Sequence, residues 1–289
     1  MEEPLELRVH DEPTPPRPPV AATAGEEPLE LRIHGDAGPP ALIYLPGLHG
    51  DWTLASSFRA AVSGQVRWVE VVYPRTVQWS LADYANHITS ALKARGITRG
   101  WLLGESFGSQ VAWAMLGRAG EGFEAEGLVL AGGFVRHPAI WGVWLVRFLT
   151  AHYPGWSLRL LLSVYSRYAR FRHRHAPETR ACIAEFVARR SHPLDRAAIV
   201  HRLDLIARND PRSAAQQARV PVFNLIGLVD PIVPALPVWL WCRRHCPGHR
   251  GSRLIWNADH NVLGTAPDRS AQQVLQWMAS KSEPRLAAP

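Results

Sequence analysis

WLLGESFGSQVAWAM, residues 101–115, decides how this chain is read. Trp101, Leu102 and Leu103 run straight into Gly104-Glu105-Ser106-Phe107-Gly108, after which Gln110, Val111, Ala114 and Met115 recur at helical spacing. A strand that gives way to a helix within five residues strains the backbone of the central residue and exposes its side chain. Glycines on either side are then needed, because larger residues would collide. The pattern therefore predicts a serine hydroxyl presented at the end of a buried strand. A Gly-Ser loop that only caps the following helix is the plainer alternative.

A serine hydroxyl is a weak nucleophile at neutral pH and needs a base, which needs a carboxylate to orient it. Asp230 lies just past a strand ending at Gly227, and His260, in Asp259-His260-Asn261, lies just past one ending at Trp256. Loops at the carboxyl ends of strands are where functional groups gather in open α/β sheets. The order Ser106, Asp230, His260 is the one expected when a strained elbow carries the nucleophile. The chain has 13 histidines, so position after a strand is what discriminates among them. His245 and His249 fall in or just after a helix, and His173 and His175 lie in a basic run. Asp259 competes for the acid role, but a neighbour of His260 curls back onto that ring's Nδ1 with difficulty, which favours Asp230.

The remaining need is for backbone N–H groups aimed at the developing oxyanion. Pro46-Gly47-Leu48-His49-Gly50-Asp51 follows the strand 41–45. Gly47 allows a tight turn, and the Leu48 N–H is the expected partner of the Phe107 N–H, with His49 as the other candidate donor or as a residue that orders the loop.

Around these motifs short β-rich runs at 41–45, 66–72, 100–104, 127–133, 220–227 and 253–256 alternate with helical patterns. Most are apolar on both faces, which predicts a doubly wound, mostly parallel sheet covered by helices. Ser80 and Asp83 form a capping-box-like start to a helix ending at Gly96, and further helices are expected near 238–246 and over 267–280. The stretch from about 135 to 216 differs in texture: helical, arginine-rich and aromatic. It reads as a cap inserted between core segments 26–134 and 217–289. Within it Trp141, Trp144, Leu145, Phe148 and Leu149 repeat at helical spacing, for which packing between cap and body is the ordinary explanation and a lipid-contacting lid the alternative.

Of the net charge of +7, residues 135–219 carry +10, with 15 arginines against five acids, and the rest sums to −3. Such segregation suits either an acidic partner or an ordinary solvated surface. EEPLELRVH at 2–10 recurs as EEPLELRIH at 26–34, separated by a proline-rich stretch. Each copy alternates like a short edge strand, and residues 1–25 are expected to be a flexible tail.

No apolar run reaches 18 residues, and the acidic, proline-rich start lacks the form of a secretory signal, so a transmembrane helix is not expected and a cytoplasmic location is. Three cysteines, Cys182, Cys242 and Cys246, do not make a disulfide framework. Cys242 and Cys246, near His245 and His249, have half the look of a metal site. Four residues apart on a helix, they more simply stack two small apolar groups on one face.

Taken together, the loop at 47–50, the elbow at 104–108, the Asp230 loop and the His260 loop resemble the α/β-hydrolase fold superfamily, with a helical cap, over roughly residues 29–280. Pro46-Gly47 stands where members usually carry His-Gly. A serine at the elbow separates the chain from the superfamily's dehalogenases and epoxide hydrolases, whose nucleophile is aspartate. The resemblance implies a cofactor-independent, metal-free serine hydrolase of carboxylic esters or thioesters, with Ser106, Asp230 and His260 as triad, Leu48 and Phe107 as oxyanion donors, and Gly104 and Gly108 as elbow glycines. Its expected partner is a small acyl substrate, alone or on an acidic carrier such as an acyl carrier protein or coenzyme A thioester. A non-hydrolytic ligand-binding module, or an acyltransferase or lyase on the same triad, is the alternative. No recognised nucleic-acid motif accompanies the arginines, so specific nucleic-acid binding is not expected.

Overall fold

The computed structural model describes residues 27–36, 38–118, 122–152, 163–164, 167, 177–189 and 194–280. The expected tail, the first copy of the duplicated segment, His173 and His175 lie outside these residues.

Seven strands form one sheet in the order β1-β3-β2-β4-β5-β6-β7. They are β1 Glu30–His34, β2 Ala41–Leu45, β3 Arg67–Val72, β4 Arg99–Glu105, β5 Glu124–Ala131, β6 Val222–Gly227 and β7 His249–Ile255. All neighbours run parallel except β1, which pairs antiparallel with β3 at the edge. The second copy of the duplicated segment supplies that edge strand, as its alternation predicts. The helices are α1 Ser56–Ala61, α2 Leu81–Ala94, α3 Gly108–Leu116, α4 Ile140–His152, α5 Pro177–Ala188, α6 Asp195–Arg208, α7 Arg212–Gln217, α8 Ala235–His245, α9 Val262–Thr265 and α10 Pro267–Ser280.

The two-residue period of a strand sorts its side chains to opposite faces, and here both faces are buried. Ile43 and Leu45 of β2 join the core with α2, α3, α6 and α8. Leu42 and Tyr44 join a second core with α1, α9 and α10. This double burial is why these strands read as near-continuous apolar runs. At the edge the burial is ionic: Glu70 of β3, fully buried, accepts from Arg59 Nη1 at 2.8 Å and Trp68 Nε1 at 3.0 Å, and pairs with Arg32 and His34 of β1 at 3.3 and 3.2 Å.

The Ser80 box forms as expected: Ser80 Oγ accepts from the Asp83 N–H at 3.2 Å while Asp83 Oδ2 accepts from the Ser80 N–H at 2.8 Å. Cys242 lies in α8 and Cys246 ends it. Both are buried, and burial pushes the Cys242 thiol up to about 12, in keeping with apolar packing. No group of three or more His, Cys, Asp or Glu side chains among the described residues is placed to hold a metal ion.

Between β5 and β6 the described chain is helical. Helix α4 departs from the core-packing expectation. Only Val143 of it is buried, while Trp141 is 75% exposed and Trp144, Leu145, Phe148 and Leu149 also face outward. Its apolar residues recur around most of the helix rather than along one stripe, so docking one side leaves the others uncovered. No described helix is long and apolar enough to cross a membrane.

Candidate active site

Ser106 follows β4 directly, and its φ of +50° is the one positive value among described non-glycine residues. A side chain in that region is strained, and the surroundings hold it there. The Ser106 N–H donates to the Ala131 carbonyl at 3.2 Å, and the Ser106 carbonyl accepts from the Ser109 N–H at 3.0 Å and from Ser109 Oγ at 2.6 Å. The flanking glycines are required by space. A Cβ at Gly104 would stand 2.9 Å from Ser109 Cα, and one at Gly108 would overlap the Leu45 carbonyl of the adjacent strand. Gln110 braces the start of α3 by donating to the Phe134 and Val135 carbonyls at 3.1 and 2.9 Å.

Asp230 and His260 meet although 30 residues separate them. His260 Nδ1 is 2.8 Å from Asp230 Oδ2. The other carboxylate oxygen, Oδ1, accepts from the Ile232 and Val233 N–H groups at 2.8 and 2.9 Å, so its own loop aims Asp230 at the ring. Burial alone would lower the imidazole's pKa. The hydrogen bond and charge of Asp230, with Glu105 and Asp259 behind them, outweigh it and leave His260 above its ordinary value. Asp259 is engaged in its own turn: its Oδ1 accepts from the Asn261 N–H at 3.0 Å and from Thr265 Oγ1 at 3.3 Å, ordering the entry into α9.

The imidazole lies over Gly132, where a Cβ would stand 3.3 Å from Nδ1 and 3.4 Å from Cε1. Gly132 follows the residue whose carbonyl receives the Ser106 N–H, so serine and histidine flank the same bend at the end of β5. Among the described residues no hydrogen bond joins Ser106 Oγ to the ring.

The 47–50 loop abuts the serine, since a Cβ at Gly47 would be 3.5 Å from Ser106 Cβ. The loop closes on itself through Gly50 N–H to Gly47 O at 3.0 Å, and neither the Leu48 nor the Phe107 N–H has a backbone acceptor among the described residues. The Phe107 ring is buried against Tyr73 and Tyr84.

Three further groups surround the site that motif reading passed over. Glu105 is buried and accepts a hydrogen bond from Tyr44 Oη. Burial holds its carboxyl above the usual range, against the Tyr44 hydrogen bond and the His260 charge. His137 is buried close enough to feel His260, and burial, then that charge, lowers its pKa. Arg202 of α6 reaches the 47–50 loop. None has a local sequence signal: Arg202 is one arginine among many, and Tyr44 reads as an ordinary strand residue.

No protein-family model and no curated protein sequence matches the chain. Solved structures do. A thermophilic esterase from Thermogutta terrifontis is 19% identical, covering 88% of this chain and 94% of its own, with a TM-score of 0.69. An esterase from Rhodococcus sp. ECU1013 is 16% identical over 89% and 96%, with a TM-score of 0.71. The enol-lactonase from Burkholderia xenovorans LB400 is 19% identical over 90% and 99%, also at 0.71. The sheet order, the strained elbow after β4, and structural likeness along nearly the whole of each of these proteins make this a chain with the α/β-hydrolase fold.

Proposed function

We propose that the chain is a serine hydrolase that cleaves a carboxylic ester or thioester through an acyl-enzyme on Ser106. The observation that carries this reading is the 2.8 Å pair of His260 and Asp230 set over the bend that also anchors Ser106. Ser106 Oγ attacks the acyl carbon as His260 Nε2 takes its proton. Asp230 holds Nδ1–H, so the ring stays in the tautomer that leaves Nε2 free to accept. His260 then protonates the departing alkoxide or thiolate, and water, activated by the same ring, releases the acid. The Leu48 and Phe107 N–H groups stabilise the oxyanion, a contribution of about 3 kcal/mol for one donor. The serine-imidazole hydrogen bond forms as substrate excludes water, a tightening common at such sites.

The likeness to two esterases and a lactonase supports acyl chemistry, and the elbow serine supports the nucleophile. In this reading the segment 135–216, helical where it is described, serves as the cap over a core of 26–134 and 217–289. Ser106→Ala is expected to abolish fluorophosphonate labelling and turnover of short aryl esters while the fold, read by circular dichroism, is retained. Undiminished turnover in that variant removes the mechanism. An acyl-length series of aryl esters then defines the substrate. Acyl transfer to an added alcohol or amine in preference to water would identify a transferase on the same residues.

A further inference from the structure

The segment between β5 and β6 sends one cation deep into the body of the protein. Arg202, midway along α6, is 2% exposed. Its Nη1 donates to the Leu48 carbonyl at 2.6 Å, Nη2 to the Pro74 carbonyl at 2.9 Å and Nε to Tyr84 Oη at 3.3 Å, and Cζ lies 5.4 Å from the centre of the Tyr73 ring. Every one of these partners is neutral, and among the described residues no carboxylate is within ion-pair distance. Burying a guanidinium without a counter-charge is costly unless its donors are satisfied, and an apolar side chain would dock a helix at less cost. The acceptors therefore matter, and the shortest contact is to the loop beside Ser106.

That loop is built around the guanidinium. Gly50 has φ +80°, and a Cβ there would come within 2.6 Å of Arg202 Nη1. The Gly50 carbonyl accepts from the Tyr73 N–H at 2.8 Å and its N–H closes on Gly47. The Leu48 carbonyl is thus held from the inserted segment, by a charge-assisted bond roughly twice as strong as a neutral one. The same bond fixes the plane of the Leu48–His49 peptide, which carries the His49 N–H, and anchors the Leu48 residue whose own N–H belongs to the preceding Gly47–Leu48 peptide.

We propose that Arg202 is a positioning residue for the oxyanion loop: by holding the Leu48 carbonyl it sets where the loop's N–H groups point, so that turnover requires α6 to be docked on the body. The proposal rests on the Ser106 hydrolase reading. A displacement of about 1 Å at such a group can cost on the order of 100-fold in rate.

The test compares an aryl ester with its thionoester, in which sulfur replaces the carbonyl oxygen and accepts hydrogen bonds poorly, with kcat expressed per fluorophosphonate-titrated site so that unfolded chains do not count. Arg202→Lys keeps the charge but loses the fork. Gly50→Ala keeps Arg202 and crowds it off the loop. Both are expected to lower kcat on the oxygen ester about 100-fold with KM within about threefold, while the thionoester loses far less. Added guanidinium ion at low concentration is expected to restore part of the ester kcat of Arg202→Ala. A structural role alone would lower the melting midpoint and leave the ester-to-thionoester ratio unchanged. That ratio staying constant in both variants, or full kcat per site in either, overturns the proposal. A wild-type chain that takes no fluorophosphonate instead overturns the reading beneath it, so the two failures are distinct.

Discussion

At His260, burial pulls the imidazole toward its neutral form while Asp230, Glu105 and Asp259 pull it toward the charged one, and the carboxylates prevail. In the proposed mechanism His260 is the general base and must be neutral to act. With the pKa raised above 6.5, the rising limb of the kcat/KM profile against pH is expected to have its midpoint above that value. The linked stability has the opposite sense: it is fully present below the ordinary histidine pKa and is lost as pH rises through the raised one. Asp230→Asn removes both the charge and the strong acceptor. The midpoint is then expected to move to lower pH, with kcat reduced on the order of 10,000-fold. A pH-rate series on both proteins reads the two effects, and an unmoved midpoint would show that Asp230 is not the group that sets it. At this scale Ser106, Asp230 and His260 were legible in the sequence because a strained turn and loops after strands have local signatures. Arg202 and the Glu105–Tyr44 pair were not, since what distinguishes them is burial beside groups 61 to 154 residues away.

Among the elements, β1 shows how an edge strand is tied to the sheet. Its cross-strand register sets Arg32 opposite Glu70 and His34 opposite Trp68, and the buried carboxylate collects Arg32, His34, Arg59 and the Trp68 indole. The Arg32 and Arg59 side chains are 28% and 29% exposed and can return to water, so the loss on removing Glu70 is well below that of a fully buried pair. Glu70→Ala is expected to cost about 2 kcal/mol through lost charge-assisted hydrogen bonds, which equilibrium urea unfolding measures. A change under about 0.5 kcal/mol, ordinary for surface positions, would mean the cluster contributes only register. Parallel strands buried on both faces were plain in the sequence, and β2 and α10 match the expected ranges to the residue. Helices α1 and α9, of six and four residues, carry too few turns for a periodic pattern to register.

Across the whole molecule, several described arginines of the inserted segment already have partners within the protein. Arg136 and Arg212 pair with Asp210, Arg147 and Arg208 with Asp204, and Arg189 with Asp51. Arg196 donates to the Thr150 and Ala151 carbonyls. Among the described residues, then, most of these arginines are engaged within the protein, several of them in exposed pairs worth little stability, and charge alone gives an acidic carrier no support. Activity on neutral aryl esters is accordingly expected to change little between low and moderate salt, because pairs at close range are weakly screened. The exposed apolar side of α4 carries a second expectation at this scale. Trp141→Ser should alter stability by no more than about 0.5 kcal/mol, measured by urea midpoint, whereas a tryptophan packed between cap and body would cost several times that.

The sequence by itself determined the parallel strands, the elbow and the candidates for an acid and a base, because each is written in spacing over a few neighbouring residues: apolar runs of strand length, glycines flanking a serine, an acid and a histidine just past strand ends. Only the tertiary structure decided that Asp230 rather than Asp259 meets the imidazole, that the tryptophans of α4 face outward, and that an arginine from a distant helix grips the loop beside the serine. Those outcomes depend on which surfaces come together when the chain closes, and contact between distant segments leaves no periodic trace along it.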